Sequence, residues 1–120
     1  MPDPKILVFA GSIRTGSYNA RLAALAAKEL ARAEADVTLI SLLDFPMPLY
    51  DGNLDAGSGP PENACKLKRL VCAQHGVFIA SPEYNASIAP LLKNTLDWIS
   101  RVRDGKEPPL AAYKNRAFAL

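Results

Sequence analysis

Hydrophobic positions fall along this chain in two alternating modes, short continuous runs and longer helical stripes. Ile6-Leu7-Val8-Phe9-Ala10 is apolar throughout, as is Val77-Phe78-Ile79-Ala80 behind Gly76. This is the pattern of parallel strands buried on both faces. Val37 to Leu42 predicts another strand, with Thr38 and Ser41 interspersed, and Arg116-Ala117-Phe118-Ala119-Leu120 begins a fourth. Between the runs the period changes. From Asn19 to Arg32 the chain is rich in good helix formers, with Leu22, Leu25, Ala26 and Leu30 as the expected apolar face. Pro61-Glu62 opens a second helix through Leu67, Leu70 and Val71, stopping near His75-Gly76. Ser87 is placed to cap a third, which tolerates Pro90 in its first turn and runs to Val102.

The order is β-α-β-α-β-α-β. Helix-length connections between strands require parallel pairing and right-handed crossovers, hence an α/β, doubly wound parallel sheet between helical layers. The Pro- and Gly-rich stretch from Asp44 to Pro61 and the segment from Arg103 to Tyr113 read as connections. All 120 residues are expected to form one domain. The chain stops inside its last strand, so a covering segment or a second subunit is expected at that edge.

Composition narrows the function. An apolar share of 49% and a charged share of 22% are those of a globular protein with a real core. A net charge of +2 is too small to argue for nucleic acid or an anionic membrane. No apolar run approaches the roughly 20 residues that span a bilayer. The N-terminus also lacks the form of a signal peptide, so a reducing cytoplasm is the expectation. Cys65 and Cys72 would lie about 10 Å apart along a helix, beyond disulfide reach. With one histidine and no Cys/His cluster, no metal site is expected. His75, near a helix end, is expected to face that helix's carbonyls, and Met47 to pack within its loop.

Two loops carry chemistry. The first, from Gly11 to Asn19, follows a strand and opens a helix, where free backbone N–H groups and the positive end of the dipole favour an anion. Ser12, Thr15 and Ser17 add hydroxyls, Asn19 an amide, and Arg14 a fork suited to two phosphate oxygens. Gly11 and Gly16 allow a tight backbone. The same residues would also make a well-capped helix start with a surface arginine and no ligand. The loop is neither a P-loop nor a Gly-x-Gly-x-x-Gly fingerprint.

The second loop, Ser81-Pro82-Glu83-Tyr84-Asn85-Ala86-Ser87, leaves the third strand. In an open parallel sheet it can lie beside the first, at the carboxyl edge where ligands bind. Tyr84 offers an aromatic face, Asn85 an amide, and the backbone around Asn85 and Ala86 hydrogen bonds for a heterocycle's edge. The alternative is a plain turn whose tyrosine packs on a helix. Glu83 receives no acid–base role. Together the loops suit a phosphorylated aromatic cofactor, with FMN the leading candidate.

These residues resemble the NAD(P)H-dependent FMN reductase family of the flavodoxin-like superfamily. Its Gly-Ser-x-Arg-x-x-Ser-x-Asn segment matches Gly11 to Asn19. Its Pro-Glu-Tyr-Asn-x-Ser segment matches Pro82 to Ser87, followed by Pro90, Leu92, Lys93, Asn94, Asp97 and Trp98. Pro46-Met47-Pro48-Leu49-Tyr50-Asp51 looks like the family's loop after strand two. The resemblance implies a three-layer flavodoxin-like fold that lacks the family's final strand and closing helices. It implies that Ser12, Arg14, Ser17 and Asn19 hold the FMN phosphate, with Tyr18 in the same cofactor-binding set. Pro82, Glu83, Tyr84, Asn85 and Ser87 would line the flavin ring.

The implied activity is hydride transfer from NADPH or NADH through FMN to a flavin, quinone, azo compound or similar small-molecule acceptor. The cofactor would carry the chemistry, and no catalytic side chain is assigned. A flavodoxin-like electron carrier and a truncated, non-enzymatic dimerising domain are the alternatives. The 88–102 helix carries Lys93, Asp97 and Arg101 at i, i+4 and i+8, either a solvated ladder or an interface. Trp98 and Ile99, with the helix's role in relatives, favour the interface of a homodimer or homotetramer.

Overall fold

A computed structural model describes residues 3–12, 17–84, 87–103 and 110–119. Its main sheet has four parallel strands: β1 (Lys5–Ala10), β2 (Asp36–Leu39), β3 (Gly76–Ala80) and β6 (Ala117–Ala119), in the order β2-β1-β3-β6. The runs read as doubly buried strands are so placed. Leu7 and Val8 have no exposed surface, and Val77, Ile79 and Ala80 are buried.

Helix α1 (Tyr18–Arg32) covers one face, while α3 (Glu62–Cys72) and α4 (Pro90–Arg101) cover the other. On the first, Ala23 and Ala27, with Leu30, meet Val8, Ala10 and Ala80. On the second, Leu67, Val71, Leu92 and Ile99 meet Leu7, Phe9, Val77 and Ile79. This is the expected three-layer flavodoxin-like arrangement. No described helix is long and apolar enough to cross a membrane.

Several local expectations are corrected. The face of α1 that meets the sheet is an alanine stripe, and Leu22 and Leu25 are exposed. Small side chains let this helix lie close to the strands. Strand β2 ends at Leu39, because Ser41 caps a 3₁₀ turn, Leu42–Asp44, by accepting from the Leu43 N–H. Helix α3 ends at Cys72, earlier than expected, because His75 already joins the sheet. Its N–H donates to the Lys5 carbonyl at 2.8 Å, and its Nδ1 accepts from the Lys5 N–H at 2.8 Å. His75 therefore serves β1 rather than the carbonyls of α3.

Two elements were not expected. Helix α2 (Gly52–Ser58) lies inside the long connection, capped by the Asp51 side chain. A two-stranded antiparallel hairpin, β4 (Glu83–Tyr84) and β5 (Ser87–Ile88), follows β3. Ser87 pairs with Tyr84 there and does not cap α4, which starts at Pro90 behind Ala89 without a side-chain cap. Both cysteines are free, and Met47 packs against the core rather than within its loop.

Candidate functional site

The two sequence loops are brought together by strand register. Parallel pairing of β1 with β3 sets Ala10 opposite Ala80, so both chains leave the sheet at the same level. The Gly11 N–H extends the ladder one step, donating to the Ala80 carbonyl at 2.7 Å. Helix α1 covers one face and α3 and α4 the other, so this point between β1 and β3 is where the winding reverses. Ligands of open α/β sheets bind in such a crevice.

Gly11 is required there by proximity. It is not among the residues with positive φ. A Cβ placed on it would lie 2.6 Å from Ser81 Oγ, 2.9 Å from Ser81 Cβ and 3.3 Å from Leu92 Cβ. The first loop, the second loop and α4 thus touch at one backbone atom. Sequence reading named Gly11 for backbone freedom and missed Ser81, whose signal was only its place directly after a buried strand.

At the start of α1, Ser17 is buried, and its Oγ accepts from the N–H groups of Asn19 at 3.1 Å and Ala20 at 3.4 Å. This is the well-capped helix start that the loop's residues also allow without a ligand. It uses the oxygen's lone pairs and leaves the hydroxyl proton able to donate to an anion. No carboxylate lies in the first turn of α1, so the positive end of the dipole is not neutralised by its own helix. These features fit the phosphate of FMN.

The other predicted residues divide. Ser12 is half-buried beside a cleft of about 520 Å³ between the exit of β2 and α1. That cleft lies on the β2 side of β1 and includes Asp44, which makes it a poor anion site. Asn19 is half-buried in the first turn. Tyr18 is 83% exposed, with the Arg21 guanidinium 5.7 Å from its ring centroid, so it stands on the outer face of α1. Pro82 is half-buried, and Ser87 is exposed on β5. Glu83 and Tyr84 form β4, while Arg14 and Asn85 lie outside the described residues. Among the described residues no His/Cys/Asp/Glu group could hold a metal ion.

A strap from Pro46 to Asp51 closes against α4 near the same edge. The Asn94 side chain spans its backbone, accepting from the Tyr50 N–H at 2.7 Å and donating to the Pro48 carbonyl at 3.0 Å. The Trp98 indole N–H donates to that carbonyl at 2.8 Å, and its ring lies 4.8 Å from that of Tyr50. Asp55 Oδ2 accepts from the Tyr50 hydroxyl at 3.1 Å and from Arg101 Nε at 2.6 Å. Burial, and then the Asp55 carboxylate, push the Tyr50 phenol above its ordinary range, and the bond to Asp55 raises Arg101.

The supposed surface ladder is therefore split. Lys93 pairs with Asp97, while Arg101 turns to α2. Trp98 and Ile99 are buried inside the chain, so their apolar character does not argue for an interface.

Known proteins resemble this chain in sequence and fold. The chain is 36% identical over 101 residues to a quinone reductase of Escherichia coli, covering 83% of this chain and 52% of that protein. It is 36% identical over 119 residues to an NAD(P)H-dependent FMN reductase of Pseudomonas aeruginosa, covering 98% and 58%. Among solved structures it resembles FerB, a flavoenzyme NAD(P)H:(acceptor) oxidoreductase of Paracoccus denitrificans. There the TM-score is 0.71 at 27% identity, covering 96% of this chain and 58% of that one. The chain thus spans about half the length of the relatives it matches. Residues 4–120, which include both loops and the strands that align them, match the NADPH-dependent FMN reductase pattern, and the chain belongs to that family.

Proposed function

We propose that this chain binds FMN at the β1/β3 edge and works in the NAD(P)H-driven reduction of a small acceptor such as a quinone, a flavin or an azo compound. The observation that carries this reading is the Ala10–Ala80 register, which brings an anion-ready helix start and the second loop to one crevice. Family membership supports the choice of cofactor.

When bound, FMN supplies the relay of hydride from NADPH or NADH to the acceptor. The chain's share is to hold and orient. Ser12, Arg14, Ser17 and Asn19 would bind the phosphate, and Pro82, Glu83, Tyr84, Asn85 and Ser87 would border the ring. Tyr18, on the outer face of α1, contributes least. No side chain is given an acid–base role.

A second copy of the chain is proposed against the exposed Lys93 face of α4. The free thiols accord with a reducing compartment such as the cytoplasm.

The test is titration of FMN with this chain, followed by quenching of flavin fluorescence. Anaerobic NADPH oxidation with a quinone comes next. Stoichiometric binding and acceptor-dependent NADPH oxidation are expected. A folded chain that leaves flavin fluorescence unchanged would overturn the reading.

A further inference from the structure

We infer that Ser81 is a positioning residue for the flavin site, paired with Gly11 as a spacer that sets the separation of the two loops. The inference rests on the FMN reading above and goes beyond it, because neither residue was assigned to hold a part of the cofactor.

The argument is steric. Gly11 and Ser81 are the first residues past the Ala10–Ala80 pair, so they face each other where both chains leave the sheet. Two ordinary side chains cannot fit between them. With Gly11 bare, the Ser81 side chain takes up the gap, and its hydroxyl donates to the Pro82 carbonyl at 3.1 Å.

Leu92, with no exposed surface, backs the contact from α4. A Cβ at position 11 would come within 3 Å of two Ser81 atoms, so something must shift. The strands are fixed by their ladders and Leu92 by the core. The movement therefore falls on one of the loops. FMN must reach the first loop with its phosphate and the second with its ring, so the loop separation is read directly as affinity.

The experiment is a double-mutant cycle read by FMN titration, with thermal unfolding of each ligand-free variant alongside. Gly11→Ala should weaken FMN binding by about tenfold or more, a loss of at least about 1.4 kcal/mol. Ser81→Ala keeps Cβ and should change affinity by less than about threefold. In Gly11→Ala/Ser81→Gly the vacated space accepts the new methyl, with Leu92 Cβ at 3.3 Å as its nearest remaining neighbour. Its affinity should return to within about threefold of Ser81→Gly alone.

A spacer requires this rescue in Kd. Rescue confined to the melting temperature would show a merely structural contact and overturn the inference. So would a Gly11→Ala variant that binds FMN like the parent. If Gly11→Ala does not fold, the double variant decides: folded and flavin-binding supports the spacer, unfolded overturns it. A parent chain that binds no FMN overturns the functional reading and this inference with it. A parent that binds, with an uncoupled cycle, overturns the spacer alone.

Discussion

Helices α1 and α4 leave the same sheet edge and are held in opposite ways. Helix α1 is held at its end. Ser17 caps it, yet within the helix only Ala23 and Ala27 are buried, and Tyr18, Leu22 and Leu25 are exposed. Helix α4 is held by its side. It has no side-chain cap and begins with Pro90, which has no N–H to offer, while Leu92, Thr95, Trp98 and Ile99 are buried. A helix terminus that points N–H groups outward can serve a ligand, and a helix locked along its length can carry a strap. The chain divides these tasks between two helices on opposite faces of one sheet.

The largest expected effect lies on the side of α4. Trp98→Ala removes a fully buried indole and one of the two donors to the Pro48 carbonyl, and should cost about 3–5 kcal/mol in urea unfolding. A cost under about 1 kcal/mol would mean that α4 is not held by its face.

The end of α1 gives the next effect. Ser17→Asp keeps a competent cap, so the melting temperature should hold or rise. The added negative charge should weaken FMN binding about 10- to 100-fold, about 1.4 to 2.8 kcal/mol. Ser17→Ala should instead lose about 1 kcal/mol of stability with the cap. Unchanged flavin affinity in Ser17→Asp would break the assignment of that terminus to the ligand.

Tyr113 sharpens the comparison through pH. Its hydroxyl donates to the Leu96 carbonyl of α4, and burial pushes its phenol well above the ordinary value. The folded chain thus holds this proton more tightly than the unfolded one. The stability it contributes is complete below the ordinary phenol value of about 10 and is lost as pH rises from there toward the folded value. Tyr113→Phe should cost about 1 kcal/mol at pH 7 and flatten the alkaline decline, as urea midpoints across pH would read.

The smallest effect is expected from the surface ion pairs, Arg32–Glu29 on α1 and Lys93–Asp97 on α4. Lys93→Ala and Arg32→Ala should each change stability by less than about 0.5 kcal/mol, an effect that shrinks further as salt is added. A larger loss in Lys93→Ala that depends on protein concentration would instead support a second copy on this face.

Much of the fold was legible because burial leaves a periodic trace. Continuous apolar runs marked β1 and β3, since strands covered on both faces admit no polar position. Helix α2 left no such trace. With Gly52 and Gly57 among seven residues its propensity is low, and what holds it is the pairing of Asp55 with nearby Tyr50 and with Arg101, 46 positions away. The leucines of α1 misled for a related reason. Size suggested Leu22 and Leu25 for the core, but close packing on a sheet selected the alanines.

By itself the sequence determined the alternation of strands and helices, the Ser17 cap and the composition of the two loops, all of which depend on residues near one another in the chain. Only the tertiary structure decided that Ser81 lies against Gly11, that Ser87 belongs to a hairpin, and that Asn94 and Trp98 face inward to grip the Pro48–Tyr50 strap. The Gly11–Ser81 contact and the grip on the strap depend on strand register and helix rotation, which set contacts between residues 44 to 70 positions apart and leave no mark on local pattern.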